Sequence, residues 1–212
     1  MSAVAAVLLA VTVGSAVANW IAVASEPERT TLVYVAKPAT MVALIGVAIA
    51  LDPFDPAVRA WFVAALVLCL AGDVFLMLPQ DLFVAGLASF LLGHLCYVGG
   101  LVVAHRSWAA TALGVVLVGL TLGRIAPRIV GAVRRTDQAL VVPVLAYISV
   151  ISLMVITAWG SWRAWAIAGA VLFYASDATL AWNRFVRPLR HGHLAVMVTY
   201  HLGQIGLVLG LL

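Results

Sequence analysis

The sequence predicts an all-α, polytopic membrane protein of eight transmembrane helices. Three observations predict it. Of 212 residues, 65% are hydrophobic and 9% charged, against about 45–50% apolar and about 25% charged in soluble domains. Mean hydropathy is +1.15. The apolar residues gather in stretches of about 20, the length that crosses a bilayer core. No soluble core hides this much apolar surface, so an ordinary soluble enzyme and a disordered chain are excluded. The two cysteines, Cys69 and Cys96, sit inside apolar runs and read as packing residues, not a disulfide scaffold. The 12 basic residues give a net charge of +4. They are scattered singly and form no nucleic-acid footprint.

The predicted spans are 2–24, 31–51, 58–78, 84–104, 108–124, 139–159, 162–182 and 192–212. Turn and charge signals separate them: Ser25-Glu26-Pro27-Glu28, Asp52 to Pro56, Pro79-Gln80-Asp81, His105-Arg106-Ser107, Arg124 to Asp137, Gly160-Ser161, and Asn183 to Gly192. The first span contains Ala16-Val17-Ala18, which imitates a signal-peptide cleavage site. It lacks a basic leader and is too long, so it reads as a helix. The fifth span is the weakest, with Gly and Arg124 crowding its end. All seven Trp residues (20, 61, 108, 159, 162, 165 and 182) lie within a few residues of a span end, as an interfacial aromatic belt requires. The whole chain, 1–212, reads as one integral membrane domain.

Orientation follows from basic residues in the loops. We call the face reached after the first span side B. Its loops carry Arg29, Arg124, Arg128, Arg134, Arg135, Arg184, Arg187 and Arg190, whereas side A carries Arg59, Arg106 and Arg163. Side B is therefore expected to be cytoplasmic, with both termini outside. Lipid head groups are a second use for Arg184, Arg187 and Arg190.

Charges within hydrocarbon are costly, about 2.5–3.5 kcal/mol each on insertion scales, and point to function. Three are unambiguous: Lys37, Asp73 and Asp177. Counting residues from the span ends puts all three about 7–9 Å beneath side B. Asn19 shares that depth. Tyr147, His94, Tyr97, Tyr200, His201 and Gln204 lie deeper, and the side A halves are almost wholly apolar. A polar vestibule open to side B and closed near mid-membrane explains the pattern; a through-channel needs polar groups along its length. The structural alternatives are a snorkelling Lys37, aspartates that merely pair with it or tie helices together, and tyrosines and histidines that only pack or hydrogen-bond.

The two halves suggest a parallel four-plus-four repeat, 1–106 and 107–212. Ala71-Gly72-Asp73-Val74-Phe75-Leu76 resembles Ala175-Ser176-Asp177-Ala178-Thr179-Leu180. Pro38 and Pro143 differ by 105, Asp73 and Asp177 by 104, and His94 and His201 by 107. Such a repeat puts the aspartates on opposite walls of one cavity. Lys37 has no counterpart, since Val142 stands at the matching position.

Two carboxyls flanking a cavity suit acid–base hydrolysis when their environments separate their roles. Asp73 beside Lys37 is expected to be the ionised base and Asp177 the acid; Lys37 alternatively holds a lipid phosphate. Motifs for a serine elbow, a zinc protease helix or a P-loop are absent from the sequence. Zinc held by His94, His201, Asp73 and Asp177 is one alternative, making a metal-dependent lipid amidase or esterase. No two of those ligands fall at i, i+3 or i, i+4 on one helix. A small proton-coupled transporter is another; the apolar side A halves argue against its need for access from both faces. No cofactor, resident metal or obligate protein partner is expected.

Several motifs, in order across the spans, resemble the lysoplasmalogenase family, the YhhN-like membrane proteins. They are Tyr34-Val-Ala-Lys37-Pro38, Gly72-Asp73, Gly86-x3-Phe90-x3-His94-x2-Tyr97, Tyr174-x-Ser176-Asp177-x2-Leu180-Ala181, and Tyr200-x3-Gln204. The resemblance covers most of the chain. It implies hydrolysis of the vinyl ether bond of a lysoplasmalogen to a fatty aldehyde and a glycerophospho-ethanolamine or -choline. It also implies a lysophospholipid substrate, a bacterial inner membrane, catalytic Asp73 and Asp177, and substrate contacts from Lys37, Tyr34, His94, Tyr97, Tyr174, Tyr200 and Gln204; shared depth adds Asn19, Tyr147 and His201 as further expected contacts.

Overall fold

The computed structural model describes residues 1–25 and 27–212. Glu26, within the first predicted loop, lies outside the described residues. Among the described residues, eight helices are long and apolar enough to cross a membrane. They are α1 (Ala3–Ala24), α2 (Thr30–Ala50), α3 (Pro56–Met77), α4 (Phe83–Val103), α5 (Trp108–Thr136), α6 (Val141–Ser161), α7 (Ala164–Ala181) and α8 (Gly192–Leu209). The chain is an integral membrane protein.

Helix starts follow local chemistry. The side-chain oxygens of Ser2, Asp55 and Ser107 accept from the amides of Ala5, Ala57 and Ala110 at 3.1, 2.7 and 3.1 Å. Each satisfies an amide that the first helical turn leaves orphaned. Pro56 stands where its missing N–H costs nothing.

Successive helices pack as antiparallel pairs, α1 with α2, α3 with α4, α5 with α6 and α7 with α8. In hydrocarbon the hydrophobic effect does not drive helices together, so close backbone approach must. Glycine permits it at the α7–α8 crossing. A Cβ on Gly169 would lie 2.4 Å from the Leu207 amide nitrogen, and one on Gly203 would lie 2.8 Å from that of Phe173. The halves meet where α4 packs on α6 and where α8 packs on α1 and α2. On side A the two halves are joined by contacts at Phe54. The Phe54 amide donates to the Leu211 carbonyl at 3.0 Å, and the Arg163 guanidinium stacks 3.4 Å from the Phe54 ring centroid.

Two boundaries correct the sequence reading. The predicted loop from Arg124 to Asp137 is helical as far as Thr136, so α5 runs 29 residues. Its arginines lower the apolar average, but Val118, Leu122, Ile125, Ile129 and Val133 keep helical spacing. Ile129 and Val133 are buried against Val144, with Leu87 and Phe185 beside them. One-sided burial holds this end, although Pro127 removes a backbone donor. The other correction is at Asn183. The helical path of α7 continues there as a π-helical turn, Trp182–Val186, a wider winding that often marks functional sites. Trp20 also departs from a purely interfacial role: its indole donates to the Met197 carbonyl at 3.2 Å and to His201 Nδ1 at 3.0 Å, joining α1 to α8.

Candidate active site

A cavity of about 180 Å³ occupies the side B half of the bundle. Six of the polar residues singled out above line it: Lys37, Asp73, Tyr147, Tyr174, Asp177 and Tyr200. They come from α2, α3, α6, α7 and α8. The other walls are apolar, chiefly Phe83, Leu87 and Phe90 of α4, Leu122, Ile125 and Ile129 of α5, and Val144, Ile148 and Ile151 of α6. The polar groups therefore sit on a largely hydrocarbon-lined chamber, a form suited to a lipid chain with one reactive end.

The Asp73 wall is fully paired. Lys37 Nζ lies 3.0 Å from Asp73 Oδ1, and the Tyr200 hydroxyl donates to Oδ2 at 2.6 Å. Behind them, Gln204 Nε2 donates to the Tyr200 oxygen at 3.4 Å, and the Tyr97 hydroxyl donates to Gln204 Oε1 at 2.5 Å. Every hydrogen in this chain points toward Asp73, so the network is complementary to its carboxylate form. Lys37 is buried against Asp73 instead of reaching the surface.

The Asp177 wall is sparser. Asp177 Oδ2 accepts from the Tyr147 hydroxyl. Its side chain keeps 14% exposure, against 2% for that of Asp73. His94 Nε2 stands 3.9 Å from Oδ2, beyond hydrogen-bond range. Neither His94 ring nitrogen has a partner among the described residues. The ring packs edge-on to Tyr147, with centroids 5.3 Å apart. Neighbouring Ser176 donates to the Val196 carbonyl at 3.0 Å and ties α7 to α8.

The remaining predicted residues lie elsewhere. Tyr97, Gln204 and His94 stand behind the walls. His201 accepts from Trp20 through Nδ1, so a neutral ring carries its hydrogen on Nε2. Asn19 is fully buried, and neither amide atom has a partner among the described residues. Tyr34 is 41% exposed on the outer surface of α2, away from the chamber. The sequence reading missed the apolar lining. The spacing of Leu122, Ile125 and Ile129 carried that signal, masked by Arg124 and Arg128. Among the described residues, no group of three or more His, Cys, Asp or Glu side chains is arranged to hold a metal.

Residues 32–211 match the model of the YhhN family. The chain belongs to the YhhN family. Three similar relatives illustrate the match. One is the human protein named lysoplasmalogenase TMEM86B, 34% identical over 70% of this chain and 62% of its own length. Its mouse namesake is 32% identical over 72% and 64%. A Mycobacterium tuberculosis protein named lysoplasmalogenase is 32% identical over 70% and 58%. This YhhN-family chain thus spans roughly three fifths of the length of the curated relatives it matches. No solved structure matches it.

Proposed function

We propose that the protein hydrolyses the vinyl ether bond of a lysoplasmalogen, releasing a fatty aldehyde and a glycerophospho head group. One observation carries the reading. Two carboxyls in chemically different surroundings line a single, largely apolar cavity. The names of the relatives agree with it.

The chemistry divides between the walls. Asp177 acts as the acid. With Oδ2 held by Tyr147, its other oxygen delivers a proton to the β-carbon of the vinyl ether. The alkene electrons form the new C–H bond and leave an oxocarbenium ion, which the Asp73 carboxylate stabilises. Water attacks the α-carbon and loses a proton to Asp73, whose oxygens retain lone pairs beyond those used by Lys37 and Tyr200. The hemiacetal then collapses. Its hydroxyl proton returns to Asp177, the bond to glycerol breaks, and the glycerol oxygen takes the proton from Asp73. Both carboxyls end as they began. The logic parallels glycoside hydrolysis through paired carboxyls.

The tail would lie along α5 and α6, with the head group toward side B. The excess of arginines on side B supports that side as the cytoplasmic face, with both termini outside, in a bacterial inner membrane. The four-plus-four repeat accounts for the matching positions of the aspartates. The decisive experiment incubates purified protein with lysoplasmalogen and with its saturated alkyl ether analogue and measures the glycerophospho head group released from each. Release from the vinyl ether alone is expected, since carbon protonation needs the double bond. Equal cleavage of both would overturn the mechanism.

A further inference from the structure

A second hollow, of about 340 Å³, adjoins the chamber on side B. The two share Leu76, Phe83, Leu180, His193 and Val196 as lining, so they lie side by side. Across the outer hollow stands an ion pair. Both terminal nitrogens of Arg184 reach Asp81, at 3.2–3.3 Å. Arg184 also lies over the Phe83 ring, with Cζ 3.9 Å from the centroid. Asp81 is set in place by a left-handed backbone conformation, φ 48°, in the turn between α3 and α4, a conformation that aspartate tolerates better than most residues. The π-helical turn that follows α7 presents Arg184 from the other side.

We propose that Arg184 and Asp81 form a head-group subsite for a phosphate ester that carries an ammonium. The guanidinium takes the phosphate and the carboxylate takes the ammonium. The inference rests on the hydrolase reading for the position of the scissile bond. Three arguments support it. The charges are complementary: a zwitterionic ligand satisfies both members of the pair, whereas a plain anion would leave Asp81 opposed to it. The spacing agrees, because Arg184 follows Asp177 by seven residues on a nearly continuous helical path, about 10 Å along the axis. A glycerol backbone plus the reach of an arginine side chain spans that gap. The pair is also cheap to open. Its side chains are 37% and 72% exposed, and exposed ion pairs contribute little to folding, so the ligand's charges can replace those of the partner.

The test measures equilibrium binding of three saturated probes to the purified full chain: 1-alkyl-glycerophosphoethanolamine, 1-alkyl-glycerophosphate and 1-alkylglycerol. None has a vinyl ether to cleave. Arg184→Gln is expected to weaken both phosphate probes by about tenfold, the scale of a lost charge-assisted hydrogen-bond pair, and to spare alkylglycerol. Asp81→Asn weakens only the phosphoethanolamine probe. Arg134→Gln, which removes the same charge from the same face at an exposed position lining neither hollow, changes none of the three. Equal loss for all probes, or no loss for any, would overturn the subsite. Aldehyde release from lysoplasmalogen is measured in parallel. Head-group-dependent binding without aldehyde keeps the subsite and removes the hydrolase; aldehyde with head-group-blind binding does the reverse.

Discussion

Asp73 and Asp177 occupy corresponding depths near the side B ends of α3 and α7, and each accepts a hydrogen bond from a tyrosine. There the likeness ends. Asp73 has an ammonium on one oxygen and a directed chain of three donors behind the other. Asp177 has Tyr147 alone, more exposure to the cavity, and a histidine just out of reach. Val142, at the position that would match Lys37, is 73% exposed and contributes nothing to this wall. The same side chain is thus built once as a compensated charge and once as a group facing the ligand. Environment, and not residue type, separates acid from base.

The largest effect should fall on turnover. Asp177→Asn and Asp73→Asn each remove a proton carrier, and each should lower aldehyde release by about 10²–10⁴-fold. The Asp177 amide preserves shape at a wall without a cation, so near-normal melting is expected there, whereas Asp73→Asn strands the buried Lys37 ammonium and should also lower the melting temperature. Substantial activity in either variant would remove the two-carboxyl mechanism.

The next effect separates the walls by stability. Lys37→Met leaves the Asp73 charge buried and unpaired, at a cost of about 3–5 kcal/mol, read in reversible unfolding of the detergent-solubilised protein. Lys37→Met combined with Asp73→Asn removes both charges and should recover most of that loss while staying inactive. No change at Asp177 should reproduce this rescue, because that wall holds no compensating cation. A Lys37→Met variant as stable as the parent would show that the pair does not compensate a buried charge.

The comparison also shows what the sequence could reveal. Lys37 and Asp73 lie on consecutive spans, and sequential helices pack, so their pairing was legible from spacing and depth. So were the eight spans, because hydrophobic length is a one-dimensional property. Helix rotation was not. Tyr34 is three residues before Lys37, rotated by about 60° and one turn nearer the surface, and that suffices to turn it outward. Nor was the extension of α5, where Arg124 and Arg128 hid an apolar stripe from window averaging. The contact between Asp81 and Arg184 joins positions 103 residues apart, a separation that only tertiary packing closes.

A finer contrast concerns the tyrosines. A hydrogen bond to a charged group is worth about 1.5–3 kcal/mol. Tyr200→Phe deletes the donor to Asp73 and also strands Gln204 Nε2, so it should lower the melting temperature as well as turnover. Tyr147→Phe deletes a donor at the more exposed carboxyl, where water can replace it, so its effect should appear in turnover with little loss of melting temperature. Equal thermal losses would mean that the two walls are equally buried in the working protein.

The smallest effect sets two buried amides against each other. Gln204 donates to Tyr200 and accepts from Tyr97, whereas Asn19 is equally buried with neither amide atom paired among the described residues. A buried polar group without a partner costs about 1–3 kcal/mol. Asn19→Leu is therefore expected to leave melting unchanged or to raise it slightly, while Gln204→Leu lowers it by breaking the chain behind Asp73. If Asn19→Leu instead destabilises the protein, an ordered water must pair that amide, since buried polar sites recruit water when protein partners are missing. If it spares stability but lowers turnover, the amide serves the reaction and not the fold, and the Asp73 side of the site extends as far as α1.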